Sequence, residues 1–232
     1  MILFDGIDMN SVADVKIEDI RVSSIQYSPV TANRPIEAGA VFVRNRCGTR
    51  TVSVTFALLK MDRAARQSAL MAVSAWAKTD KEYKLELPGH PDHYLMAVCT
   101  AKPDPSTRQW WESKLRIDFT CYTNPFWTDK IEKTATCGTA FTVLGDAEPI
   151  MRIERTLSAD ASNQAYSLDG NAIRFSTIPT GDFVLDINNE TAVVGTTSIM
   201  SNLNVWSKWI VPRIGTQTIT GTGTIKYRER WQ

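Results

Sequence analysis

Histidines, paired cysteines and long apolar runs are all scarce in this chain. It has only two histidines in 232 residues, and its four cysteines (Cys47, Cys99, Cys121 and Cys137) form no C-x-x-C pair. No stretch approaches the roughly 20 apolar residues that a membrane-spanning helix needs; the longest run, at 94–99, has the length of a buried strand. We therefore expect reduced thiols, no metal site and no membrane segment.

Excess charge of either sign is also missing. The chain carries 26 basic and 25 acidic residues, a formal net charge of +1. This balance argues against coating nucleic acid or binding an anionic membrane as the main role. The N-terminus lacks a basic region and carries Asp5 and Asp8 early, so the pattern does not indicate a signal peptide, and folding in a cytoplasm is expected.

Catalytic motifs are missing as well. No G-x-S-x-G elbow, phosphate-binding loop or G-x-G-x-x-G occurs. His90, Asp92 and His93 could ligate a metal, but no third histidine completes a zinc site and Pro91 predicts a surface turn. Neither histidine is linked by spacing to a cysteine nucleophile. Paired carboxylates stay possible, because such a pairing is spatial. We expect no enzyme activity and no cofactor.

Alternation of apolar and polar residues dominates what is present. In 51–58 one face carries valine, phenylalanine and leucine, and in 114–121 the pattern repeats. Both segments predict strands with one buried face. The alternation of threonine with isoleucine and glycine at 218–225 predicts a late strand with a bend or bulge. Asp169-Gly170 predicts a tight hairpin, because both positions favour positive φ.

One segment predicts a helix. Residues 62–79 are rich in alanine, leucine, methionine and arginine, and Asp62 suits the N-cap. An apolar stripe of Ala69, Val73, Trp76 and Ala77 would pack on a sheet, although it could also form a groove for a partner. Many short strands with one helix predict a mainly β protein of β-sandwich or barrel modules. A polar stretch after Pro125 places the domain boundary between 1–128 and 129–232.

Residues from about 25 to 50 predict a hairpin arm that projects from the first domain. Basic side chains accumulate there, at Arg34, Arg44, Arg46 and Arg50, opposed only by Glu37. An unpaired hairpin edge favours association with another chain. We expect these four arginines to pair with acidic positions on a neighbouring subunit.

Several of the seven tryptophans are open to two interpretations. Trp110, Trp111, Trp206 and Trp209 lie in loop-like runs, where tryptophan either packs in a core or contacts a sugar or a protein. Trp206 and Trp209 are therefore candidate contacts for a saccharide or a partner protein.

The order of the segments resembles the siphophage distal tail (Dit) protein family across nearly the whole chain. The matching segments are Phe4-Asp5-Gly6, the arm, 50–59, the helix with its late Trp76, 85–95 (LELPGHPDHYL), 119–126 (FTCYTNPF) and 209–231.

This resemblance implies a structural protein of the phage virion, assembled in the host cytoplasm. The first domain would form a ring, expected to be hexameric, that passes DNA through its lumen. The second domain would be galectin-like. Expected partners are the tail tube protein, the tail-associated lysin or fibre, and receptor-binding proteins, at a tail tip or baseplate that serves host adsorption. The competing hypotheses are a carbohydrate-binding module of the adsorption apparatus and a wall hydrolase, for which no motif exists.

Overall fold

The computed structural model describes residues 1–33, 40–59, 62–103 and 114–232. They form two compact units, Met1–Trp127 and Thr128–Gln232. Antiparallel strands dominate both units, and a single helix of 14 residues lies in the first. The prediction of a mainly β protein with one substantial helix is confirmed.

The described part of unit 1 contains nine strands and two helices before a short strand at the unit boundary. Its elements are β1 (Leu3–Phe4), β2 (Ile7–Asp8), α1 (Met9–Val12), β3 (Val15–Val22), β4 (Tyr27–Asn33), β5 (Ala40–Cys47), β6 (Arg50–Leu58), α2 (Arg63–Trp76), β7 (Tyr83–Glu86), β8 (His93–Ala101), β9 (Leu115–Cys121) and the boundary strand β10 (Trp127–Asp129).

Strand β6 lies between two partner strands of unit 1. Residues on its buried face alternate with half-buried ones along all nine positions. It pairs antiparallel with β3 on one side and with β9 on the other, and β9 pairs with β8. The N-terminal β1 pairs with β2 and with β7. Alternation at 51–58 and 114–121 thus predicted two strands correctly, and the structure pairs them with each other.

Helix α2 begins at its predicted cap. The Asp62 carboxylate accepts a hydrogen bond from the Ala65 amide at 3.0 Å, which satisfies one free donor of the first turn. The helix buries Leu70, Val73 and Trp76. Trp76 lies edge-on to Phe4 and Phe119, and its indole nitrogen donates to the Ile7 carbonyl.

The helix is shorter than the predicted 62–79. It ends at Trp76, since Ala77 leaves the helical conformation and the Lys78 carbonyl accepts a hydrogen bond from the Cys99 amide of β8. Its buried stripe includes Leu70, whereas the predicted Ala69 is only half-buried.

Unit 2 continues with ten strands and a 3-10 turn. They are β11 (Lys133–Thr136), β12 (Phe141–Val143), β13 (Ala147–Leu157), β14 (Ala161–Leu168), β15 (Asn171–Ile178), β16 (Gly181–Asp186), β17 (Thr191–Val194), β18 (Thr197–Ser198), the 3-10 turn Met200–Asn202, β19 (Gly215–Gln217) and β20 (Thr224–Trp231).

Strands β13 and β20 carry the core of unit 2. Strand β13 pairs with β16 and β20, and β20 pairs also with β11. Ile153, Phe183, Leu185 and Ile225 are at most 1% exposed on these strands. The hairpin of β14 and β15 packs its buried side chains into the same core.

The predicted hairpin turn is confirmed. Asp169 and Gly170 adopt φ of 51° and 84° between β14 and β15, so both central positions are left-handed as the sequence pattern requires.

The predicted late strand at 218–225 is wrong in its first six residues. Strand β20 starts only at Thr224, and Gly221 and Gly223 have φ of 131° and 139°. A Cβ atom on Gly221 would lie 2.5 Å from the Tyr166 ring, so the chain passes closer to that ring than any side chain allows. Close backbone approach, and not strand pairing, explains these glycines.

Candidate functional site

The pair β4–β5 is the predicted arm, and we call it the arm hairpin. Its strands pair antiparallel from Tyr27 opposite Cys47 to Asn33 opposite Ala40, with a bulge at Val30/Thr31. In the described residues they form a separate two-stranded sheet. Tyr27 and Val43 are 44% and 56% exposed, which is high for large apolar residues. The arm hairpin therefore offers apolar surface that the described residues of unit 1 leave exposed.

The four predicted arginines are not equivalent in the structure. Arg34 lies outside the described residues. Arg44 is on β5 opposite Val30, and Arg46 is on β5 opposite Ser28 and exposed. Arg50 is not in the arm hairpin: it is the first residue of β6, paired with Cys121 of β9.

Arg50 is buried, with 4% of its surface exposed. Its guanidinium lies over the Trp127 ring, 5.9 Å from the centroid. Burial lowers the pKa of Arg50 from its ordinary value, while the nearby Cys121, Tyr27 and Cys47 oppose that shift. The position suits a contact within unit 1, in contrast to the exposed Arg46.

His90 lies near this arginine, and His93 lies beside His90. His90 stacks on Trp127 with ring centroids 4.0 Å apart, and His93 is 6.4 Å from His90. The stack removes part of the imidazole from water and lowers the pKa of His90, which the His93 and Arg50 charges lower further. Across the described ranges, no group of three or more His, Cys, Asp or Glu residues could hold a metal ion.

Trp206 and Trp209 differ in their environments. Trp206 is 78% exposed and its neighbour Val205 is 90% exposed, whereas Trp209 packs partly against the unit 2 core. A tight turn holds this pair in place: the Asn204 side chain accepts from the Trp206 amide and the Asn204 carbonyl accepts from the Ser207 amide. The turn is tied to β15, because Asn204 donates to the Arg174 carbonyl.

Trp110 and Trp111 lie outside the described residues, so the alternatives for them stay as predicted. The four cysteines differ in exposure: Cys47 is exposed, Cys137 is half-buried, and Cys99 and Cys121 are buried. No helix among the described residues has both the length and the apolar character required to cross a bilayer.

Sequence reasoning missed two features of these surfaces. The stack of His90 on Trp127 joins residues 37 positions apart, and no local pattern indicates it. The exposure of Val205 was also missed, although an apolar pair within a polar run at 204–208 is a signal that could have identified it.

Comparison with solved structures identifies the fold. Over 100% of this chain and 98% of the other, the structure matches the phage SPP1 Dit (gp 19.1) protein with a TM-score of 0.77 and 17% sequence identity. This chain has the Dit fold. The Dit fold was the expectation from the order of sequence segments, and it is confirmed along the full length.

Two further structures are more distant. They show the phage P2 baseplate in its activated conformation with Ca and with Sr, at TM-scores of 0.45 and 0.47, with 9% and 10% identity over 94% of this chain and 91% of each of those chains. Similarity at this level does not establish a shared fold. No family model matches the chain, and no curated protein matches it.

Proposed function

We propose that this protein is a structural hub of a phage tail, forming a ring between the tail tube and the baseplate. The observation that carries the proposal is the match to SPP1 Dit. That protein is described as a paradigm of the hub adsorption apparatus in phages that infect Gram-positive bacteria. The match runs from one end of both chains to the other, so neither unit is an addition to the shared architecture.

The arm hairpin supports assembly into a ring. Its Tyr27 and Val43 expose apolar surface, and Arg46 adds an exposed charge on the same hairpin. An identical socket on the next copy would cover this surface, and repeating that contact around an axis closes a ring. We expect six copies, with unit 1 (predicted as 1–128) in the ring and unit 2 (predicted as 129–232) as a galectin-like domain outside it.

The further parts of the proposal follow from this placement. The partners would be the tail tube protein above, and the tail-associated lysin or fibre with receptor-binding proteins below. DNA would only pass through the lumen. The role involves no chemical step, and the protein would act in the virion after assembly in the host cytoplasm.

The solution mass of the purified full chain tests the proposal. Six copies of the 25.9 kDa chain have a mass of about 155 kDa, six times 25.9. Light scattering after size exclusion, over a hundredfold range of concentration, should show this species, and negative stain should show rings. A monomer at every concentration, also in the presence of the tube protein from the same phage, would contradict the proposal.

The arginines of the arm hairpin allow a sharper test. Reversing Arg34 and Arg44 to glutamate should abolish the ring at moderate salt, because each reversed charge would face the acidic position that the arginine normally pairs with. Reversing the exposed Arg213 of unit 2, which pairs with Asp169, is the matched control and should leave the ring intact. A ring that survives the double reversal excludes the charge pairing but not the hub role.

Saccharide binding by unit 2 is the second candidate, because Trp206 is 78% exposed on a turn held by hydrogen bonds. A preorganised aromatic face is what sugar rings stack on. Binding of the full chain to cell-wall saccharides on a glycan array, lost in Trp206→Ala and kept in Trp209→Phe, would support it. If no saccharide on the array binds the chain, a contact with a protein becomes the interpretation of the exposed Trp206.

A further inference from the structure

Arg50 is a buried charge whose hydrogen bonds are incomplete. Its Nε and Nη1 atoms are out of contact with solvent, and neither has a hydrogen-bond partner among the described residues. Removing a guanidinium from water without an acceptor carries a large free-energy penalty. Glu229, a buried charge of unit 2, shows the usual solution: its carboxylate accepts from Lys133 and from the Leu144 amide.

No anion of the described chain balances Arg50. The groups that act on its charge are the thiols of Cys121 and Cys47 and the phenol of Tyr27. Thiols and phenols do not supply the negative charge of a carboxylate at pH 7. The Trp127 ring face attracts the cation. A ring face does not, however, replace an oxygen acceptor for the N–H groups in the guanidinium plane.

Two of the groups that act on Arg50 lie at the root of the arm hairpin. Tyr27 and Cys47 form the first pair of that hairpin, and both are exposed. The Gly48 amide donates to the Gln26 carbonyl, which closes the root. His90, stacked on Trp127, is also exposed. A small shift of these side chains would bring an incoming group to the buried nitrogens.

We propose that Arg50 is an oxyanion-binding site at the root of the arm hairpin, filled by a carboxylate that another molecule supplies. A carboxylate fits because its oxygens accept charge-assisted hydrogen bonds from a guanidinium, and because it neutralises the charge. The source is either an acidic side chain of a second copy or a small free anion. The site does not depend on the hub proposal, since an anion can occupy it in a monomer.

The first experiment asks whether the site is empty in the isolated protomer. Arg50→Met replaces the unpaired cation with an apolar side chain of similar length. If the acceptor is missing, this variant unfolds at a higher temperature than the wild type, by roughly 3 °C, at concentrations where both are monomeric. Arg46→Met, on the exposed arm hairpin, is the matched control and should change the melting temperature by less than about 1 °C.

The second experiment identifies the source of the carboxylate. Melting temperatures are measured against rising sodium acetate, with sodium chloride at equal ionic strength as reference. A free anion is the source if acetate raises the wild-type value and not that of Arg50→Met. A second copy is the source if acetate has no effect and Arg50→Met weakens assembly at least tenfold. Arg50→Lys keeps the charge without the planar guanidinium. Its acetate response, or its loss of assembly, should lie between those of the wild type and Arg50→Met.

Two results would overturn the inference. A lower melting temperature of monomeric Arg50→Met, with Arg50→Lys restoring it, would mean that Trp127 and the surrounding chain already satisfy the guanidinium. The second is no response to acetate together with no effect of Arg50→Met on assembly. If a ring forms although acetate has no effect and Arg50→Met does not weaken assembly, the hub proposal stands and the anion-site proposal fails. If acetate stabilises a chain that never assembles, the anion-site proposal stands and the hub proposal fails.

Discussion

Two hairpins of this protein have similar ladders and very different surroundings. The arm hairpin, β4–β5, and the β14–β15 hairpin are both two-stranded antiparallel sheets with seven registered pairs. In β14–β15 the side chains of Tyr166, Ile173 and Phe175 are at most 1% exposed. In the arm hairpin Tyr27 and Val43 expose about half of their surface.

The difference shows that strand pairing alone does not define the role of a hairpin. An intramolecular hydrogen bond contributes only about 1 kcal/mol net, so an isolated two-stranded hairpin is marginal in water. In β14–β15, the burial of apolar side chains supplies the remaining free energy of stabilisation. Tyr27 and Val43 of the arm hairpin lack that burial, and their missing contacts are those that a neighbouring subunit would provide under the proposed function.

The largest expected effect is in the buried hairpin. Phe175→Ala should lower the free energy of unfolding by about 3–5 kcal/mol, because Phe175 is 1% exposed and packs edge-on to Phe183 at 5.7 Å. Urea unfolding followed by tryptophan fluorescence measures it. A loss below about 1 kcal/mol would mean that this hairpin is as loosely held as the arm hairpin.

Thiol reactivity provides a second contrast between exposed and buried positions. Cys47 ends the arm hairpin and is exposed, whereas burial raises the pKa of Cys137 to about 11 and that of Cys121 to about 12. Since the thiolate is the nucleophile, Cys47 should react with a disulfide reagent at pH 8 about a hundredfold faster than Cys137. Raising the pH from 8 to 9 should accelerate Cys137 about tenfold, because its thiolate fraction grows with pH below its pKa.

Mass spectrometry of the labelled sites distinguishes the two cysteines, and Cys47→Ser is the control. Slow labelling of Cys47 in a sample of monomers would show that unit 1 covers the root of the arm hairpin.

The third prediction concerns how closely the chain packs on the buried hairpin. Gly221→Ala should cost about 2 kcal/mol, because φ is 131° and the new Cβ would lie 2.5 Å from Tyr166 of β14. Gly138→Ala is the matched control: its φ is also positive, at 84°, but a Cβ there meets open space, so only backbone strain of about 1 kcal/mol is expected. Equal losses in both variants would contradict the role of the Tyr166 contact.

Much of the fold could be predicted because local patterns determine it. Alternation located β6 and β9, the Asp62 cap located the start of α2, and Asp169-Gly170 located a turn between strands that the sequence showed on both sides. The errors occur where contacts with residues distant in sequence determine the local backbone conformation. The end of α2 depends on a hydrogen bond from Cys99, and the glycines at 221 and 223 depend on residues of β13 and β14.

The candidate site was harder to predict for the same reason. Counting arginines in 25–50 grouped Arg46 with Arg50, although one is exposed and the other is buried against Trp127, 77 residues away. Burial of a charged residue depends on which segments pack on it, and the composition of its own segment does not contain that information. The exposed Val43 is indistinguishable in sequence from a buried valine.

The smallest expected effect lies in the arm hairpin, and it is the one that separates folding from assembly. Val43→Thr keeps the branched shape on β5 and should change the free energy of unfolding of the monomer by less than about 0.5 kcal/mol, since Val43 is 56% exposed. The matched variant Ile173→Thr places a hydroxyl at a fully buried position of β15 and should cost several times more. If a neighbouring subunit covers the arm hairpin, Val43→Thr should still weaken assembly measurably by sedimentation, because its side chain is buried only there. A variant that weakens neither folding nor assembly would place Val43 outside the contact and would leave Tyr27 as the apolar residue of the arm hairpin to test.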